Sequence, residues 1–142
     1  MSLVPLLGNS VFWLKNDGAG NFTLQLPAFA TLNNAGGVAI ADLNGDGFND
    51  VVSTSYDDGK LVWFANDGLG NFGAEQIISS SINGPSQVYA RRIDADTILM
   101  FAFRPMMANE VIWFANNGSG VFGTKTSSIT PLSVPSLCHG RH

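Results

Sequence analysis

An all-β fold made of repeated four-stranded antiparallel sheets is predicted for this 142-residue chain by three observations. Trp13, Trp63 and Trp113 stand fifty positions apart, and each opens the same run: WLKNDGAGNFT, WFANDGLGNFG and WFANNGSGVFG. Sixteen glycines separate short β-branched and aromatic stretches, with no sustained helical period. The stretch around Trp63 is apolar on both alternating faces, Leu61 and Trp63 on one and Val62 and Phe64 on the other. Such a strand needs cover on both sides. A repeat of about fifty residues falls where propeller blades fall, and a radial stack of blades covers both faces of each inner sheet. A two-layer sandwich would leave one face polar.

Taken in order, residues 1–36 are expected to hold the last two strands of a blade, ending on the first tryptophan run. Residues 37–85 form a complete blade. Its strands run over Gly37 to Leu43, Asp50 to Ser55, Lys60 to Ala65 and Phe72 to Ser79. The link NDGLGN is a hairpin turn in which Gly68 and Gly70 supply positive φ. Residues 86–130 repeat the plan, with an unbroken apolar strand at Thr97 to Phe103. Residues 131–142 form at most the first strand of a further blade, or a tail. The total is under three blades against the roughly four to eight of closed propellers. Closure is therefore expected from a homo-oligomer or from neighbouring blades of a larger protein.

The loop between the first two strands of the middle blade carries the clearest chemistry. In DLNGDGFND, Asp42, Asn44, Asp46 and Asp50 occupy loop positions 1, 3, 5 and 9, Gly47 allows the sharp turn at position 6, and Phe48 offers a backbone carbonyl at position 7. Ca²⁺ is a hard cation that takes six to eight oxygens, and this alternation is how short loops deliver them. Three carboxylates in one loop repel by roughly 1 kcal/mol per pair at 4 Å in water, and more near a protein surface. A bound cation removes that cost. A solvated Asp/Asn/Gly turn holding no metal is the alternative. Ser53 stands at position 12, where an EF-hand places its bidentate Glu, and the flanks read as strands, so an EF-hand is excluded. Under the fifty-residue shift the last blade puts Arg92 for Asp42, Asp94 for Asn44, Asp96 for Asp46 and Met100 for Asp50, and no metal is expected there.

These residues, DLNGDGFND followed by DVV and then VWFANDGLGNFG, resemble the FG-GAP or VCBS-type repeats of integrin α-subunits and of many bacterial and algal surface proteins. The resemblance spans nearly the whole chain as a repeat rhythm and includes one intact metal loop. It implies a β-propeller, commonly seven-bladed, with Ca²⁺ held by Asp42, Asn44, Asp46, Phe48 and Asp50. It also implies an extracellular or cell-surface setting and a non-catalytic role in adhesion or protein interaction.

Composition narrows the alternatives. A net charge of −4 with 13% charged residues leaves no basic stripe for a nucleic acid. No run of eighteen apolar residues suggests membrane insertion, and the N-terminal MSLVPLLGNS lacks the basic start of a secretory signal. The lone Cys138 forms no internal disulfide. Two glutamates, Glu75 and Glu110, and two histidines, His139 and His142, form no readable acid–base constellation, so no enzyme is expected. Cys138 and His139 read as part of a tail. A carbohydrate-binding, lectin-like module is the alternative function, with Trp13, Trp63 and Trp113 as candidate sugar-stacking rings; core packing is their other role.

Overall fold

The computed structural model describes residues 2–5, 9–29, 32–94, 98–103 and 110–129. Among these the chain is all-β, with eleven strands and no helix. Three antiparallel sheets follow one another along the chain. The first contains β1 (Ser2–Pro5), β2 (Val11–Asn16) and β3 (Phe22–Phe29). The second contains β4 (Ala35–Ala41), β5 (Asp50–Ser55), β6 (Lys60–Phe64) and β7 (Gln76–Ser79). The third contains β8 (Gln87–Arg92), β9 (Ile98–Phe103), β10 (Glu110–Asn116) and β11 (Thr126–Ile129). Each strand pairs with its neighbours in sequence, which is the meander of a propeller blade. Strand β4 lies against β8 and β1 against β4, so the early strands of the three sheets meet. Gly37 permits this approach, since a Cβ there would lie 2.5 Å from the Val88 backbone nitrogen.

The expected all-β fold of antiparallel sheets is met, with local changes to the strands. The first sheet has three strands, because Ser2–Pro5 pairs with β2 in addition to the two strands expected of residues 1–36. Strand β7 begins at Gln76, while Phe72 makes an isolated bridge to Asn66 across the hairpin. Residues 131–142 and Thr97 lie outside the described residues. In the third sheet, Met100 pairs with Phe114 as Val51 pairs with Phe64, and Leu99 pairs with Arg91 as Asp50 pairs with Ala41. Leu99, and not Met100, therefore stands in the register position of Asp50. The link between the first two strands is one residue shorter in the third sheet, which an ungapped shift of fifty cannot show.

The middle sheet is covered on both faces, as its apolar third strand demands. Alternation sends Leu61 and Trp63 with Val52 to one side, where they meet Val88, Ile98, Ile112 and Phe114 of the third sheet. Val62 and Phe64 with Val51 face the other way, onto Val11 of the first sheet and Leu32 of the following connection. Val51, Val52, Leu61 and Val62 are wholly buried. Each such side chain contributes about 1.5–3 kcal/mol through burial, so these two faces dominate the stability of the middle blade.

The connections repeat as closely as the strands. Leu32 and Ile82 stand fifty apart on the links into β4 and β8, and both are buried. The residues two further on, Asn34 and Gly84, share a φ of 55°. Asparagine tolerates this left-handed conformation better than other side chains do.

Candidate functional site

Strands β4 and β5 carry the loop Asp42–Asp50 at one end of the middle sheet. Asp50 opens β5 and is wholly buried. Its Oδ2 accepts a hydrogen bond from the Leu43 amide and its Oδ1 one from the Asn66 amide, each at 2.9 Å. Burial pushes this carboxyl above the ordinary carboxylate range; the two amide bonds oppose that shift and the charges of Asp46 and Asp42 add to it. No cationic side chain pairs with it among the described residues, where the ion pair is Lys60 with Glu75 at 3.6 Å.

The other two acids fold the loop through its own amides. Asp42 accepts from Gly45 at 2.7 Å and from Gly47 at 2.9 Å, and Asp46 accepts from Phe48 at 2.8 Å. Asn44 donates through Nδ2 to Asp46 at 2.8 Å and accepts from the Asp46 amide at 3.1 Å. Asp42, Asn44, Asp46, Phe48 and Asp50 thus share one loop, as the spacing requires. Their carboxylates do not share one centre: among the described residues no three His, Cys, Asp or Glu side chains gather closely enough to hold a metal ion. Backbone amide donors hold each acid in turn. The donor set itself suits a hard cation, being three carboxylates, an amide oxygen and a main-chain carbonyl.

The loop is also part of a contact between sheets. The Leu43 carbonyl accepts a hydrogen bond of 2.6 Å from the Gly120 amide in the β10–β11 hairpin. Gly45 fits against Gly118, where a Cβ would lie 2.6 Å from the Gly118 carbonyl oxygen. Phe48 lays its ring where a Cβ on Gly68 would stand, tying the loop to the hairpin of its own sheet.

Those hairpins are one device used three times. The first Asn accepts from the glycine amide two residues on: Asn16 from Gly18 at 2.8 Å, Asn66 from Gly68 at 3.0 Å and Asn116 from Gly118 at 2.6 Å. The next residue, Asp17, Asp67 or Asn117, caps two further amides. Hydrogen bonds, first among them those from the Asn21 and Asn71 side chains, hold Asp17 and Asp67 below the ordinary carboxylate range. Glycine punctuation makes the turns legible in the sequence, but the capping side chains are the second half of the signal.

The second and third hairpins each receive the tryptophan of the sheet before them. Trp13 packs edge-on against Phe72 at 6.0 Å between ring centroids, and Trp63 meets Phe122 at 6.3 Å. The six-membered part of the indole sits at 3.2 Å from a Cβ position on Gly70 in the first case and at 3.1 Å from one on Gly120 in the second. Trp63 is only 4% exposed, so its role is core packing. Trp13 is half-buried and borders a cleft of about 220 Å³ with Lys15, Asn66 and Leu69. Trp113 is half-buried on β10. Glu75 is engaged with Lys60, Glu110 opens β10, and Cys138, His139 and His142 lie outside the described residues. No helix among the described residues is long and apolar enough to cross a membrane.

No curated protein and no solved structure matches the chain. The FG-GAP-like repeat matches residues 7–53 and again residues 42–103, and the two matches overlap on the acidic loop and the start of β5. Together they span more than half of the sequence, and the sheet-by-sheet meander agrees with such repeats; the chain belongs to the FG-GAP-like repeat family.

Proposed function

We propose that this chain is a calcium-binding, non-catalytic propeller segment that self-associates and serves adhesion or protein interaction outside the cell. Asp50 carries the reading: a wholly buried carboxylate, raised by desolvation and by two neighbouring acids, at the base of an oxygen-rich loop. A divalent cation would supply the missing positive charge, with Asp42, Asn44, Asp46, Asp50 and the Phe48 carbonyl as its holders. Because Leu43 and Gly45 touch the hairpin of the third sheet, ordering this loop would also brace one sheet against the next. The extracellular setting rests on the family, whose repeats are typical of extracellular proteins. Calorimetric titration tests the metal. Ca²⁺ is expected to bind with measurable heat and to raise the melting temperature, reversibly with EDTA; no heat and no shift at millimolar Ca²⁺ would overturn it.

A lectin-like reading draws on one observation, the cleft beside the half-buried Trp13. Trp63 is too deeply covered to stack on a sugar. Glycan binding lost on Trp13→Ala, with an unchanged circular dichroism spectrum, would support that second reading, and a blank glycan array would remove it.

A further inference from the structure

Among the described residues the indole-on-glycine contact between sheets occurs twice and has one donor and one acceptor left over. Trp63 on Gly120 and Phe122, and Trp13 on Gly70 and Phe72, are the two complete cases. The hairpin of the first sheet has the same build as the other two. Gly18 and Gly20 have φ of 85° and 91° against 78° and 93° for Gly68 and Gly70, and the Asn16 and Asp17 caps are in place. Yet among the described residues nothing lies within 4 Å of a Cβ position on Gly20, and Phe22 is 52% exposed.

At the opposite end, Ile112 and Phe114 point back into the core shared with the middle sheet. Alternation along β10 therefore turns Trp113 to the far face, as Trp63 is turned toward the sheet that follows it. The outer face of the first sheet is complementary. Leu24 pairs with Leu14 and Phe22 with Asn16, so these side chains share one face with Phe12. Leu24 is 52% exposed and Phe12 and Leu14 are half-buried, whereas their counterparts Val62 and Phe64 in the middle sheet are covered by the first sheet.

We propose that a second copy of this chain docks across these two faces, with Trp113 of one copy seated on Gly20 and Phe22 of the other. The inference rests on the self-association proposed above and names its contact: the interface continues the one that already joins the sheets within the chain. Counted on the three sheets of the described residues, two copies bring six sheets, within the roughly four to eight of closed propellers, whereas three bring nine. In the resulting dimer the contact is made twice, each copy giving its tryptophan to the other.

Light scattering on the full chain at micromolar concentration tests this, with Ca²⁺ and with EDTA. The expected mass is twice the 15.1 kDa of one chain. Phe22→Glu changes an exposed side chain and is expected to give a folded monomer by light scattering and circular dichroism, as is Trp113→Ala. Leu69→Glu, on the exposed tip of the middle hairpin, should remain dimeric. Mixing the Phe22→Glu and Trp113→Ala chains leaves one intact contact and should restore a species of dimer mass. A folded wild-type monomer, or dimers that survive both substitutions, would overturn the proposal. The two readings fail separately: a monomer that still melts higher with Ca²⁺ sinks the contact alone, and a dimer indifferent to Ca²⁺ and EDTA sinks the metal alone.

Discussion

Trp63 and Leu69 lie six residues apart and stand at opposite extremes of burial, 4% against 86% exposed. Truncating Trp63 to Ala empties a site shared by two sheets, and a loss of about 3–5 kcal/mol in urea denaturation is expected. Leu69→Ala should stay within about 0.5 kcal/mol of the parent. Acid sensitivity also belongs to single residues. Asp58 lies below the ordinary carboxylate range, first because Asn33 and Ser55 donate to it, and Asp17 and Asp67 lie below it through their hairpin bonds. A lowered folded pKa means that the unfolded chain binds these protons more tightly. Their contribution is therefore complete above the ordinary carboxylate range and is lost as pH falls through the lowered folded values. Melting temperature followed from neutral pH into this acid range should drop, and Asp58→Asn should flatten the drop; equal slopes would refute the assignment. At this scale the sequence is legible where chemistry is local, as in the glycines of the turns. It is silent where the partner is distant, as with Gly68, whose missing side chain makes room for the Phe48 ring.

The acidic loop is an element whose composition was readable and whose conformation was not. Spacing placed Asp42, Asn44, Asp46, Phe48 and Asp50 on one turn, and the structure keeps them there. It does not draw the acids together, because backbone amides of the same loop compete for each carboxylate. Under the proposed calcium site, Asp46→Ala removes an exposed carboxylate and is expected to abolish the rise in melting temperature on adding Ca²⁺, with little change in EDTA. A full calcium response in that variant would remove Asp46 from the site. The corresponding link in the third sheet is one residue shorter, which moves Leu99 into the place of Asp50. There Asn116 is wholly buried and its side-chain nitrogen has no partner among the described residues, whereas Asn66 donates to the Asn49 carbonyl at 3.0 Å. A buried donor left unpaired costs about 1–3 kcal/mol, and the Asn66 bond spares the middle blade that cost.

Three sheets in a row, each covering the next, are a whole-molecule property that the fifty-residue period made visible. The period requires each copy to meet its neighbour in the same way, and the pairs Trp13 with Phe72 and Trp63 with Phe122 are that requirement met twice. What the period could not supply was the extra strand Ser2–Pro5, since the four residues SLVP are too short a run to show a period of their own. Nor could it say which tryptophan is core: Trp13, Trp63 and Trp113 are alike in sequence and differ only in what lies across from them. The face-to-face stack is tested most directly by a double-mutant cycle on Trp63→Ala and Phe122→Ala, with stability read by urea denaturation in EDTA. A coupling of about 0.5–1.5 kcal/mol is predicted for rings that touch across two sheets. Losses that simply add, within about 0.3 kcal/mol, would mean that the two sheets do not meet there.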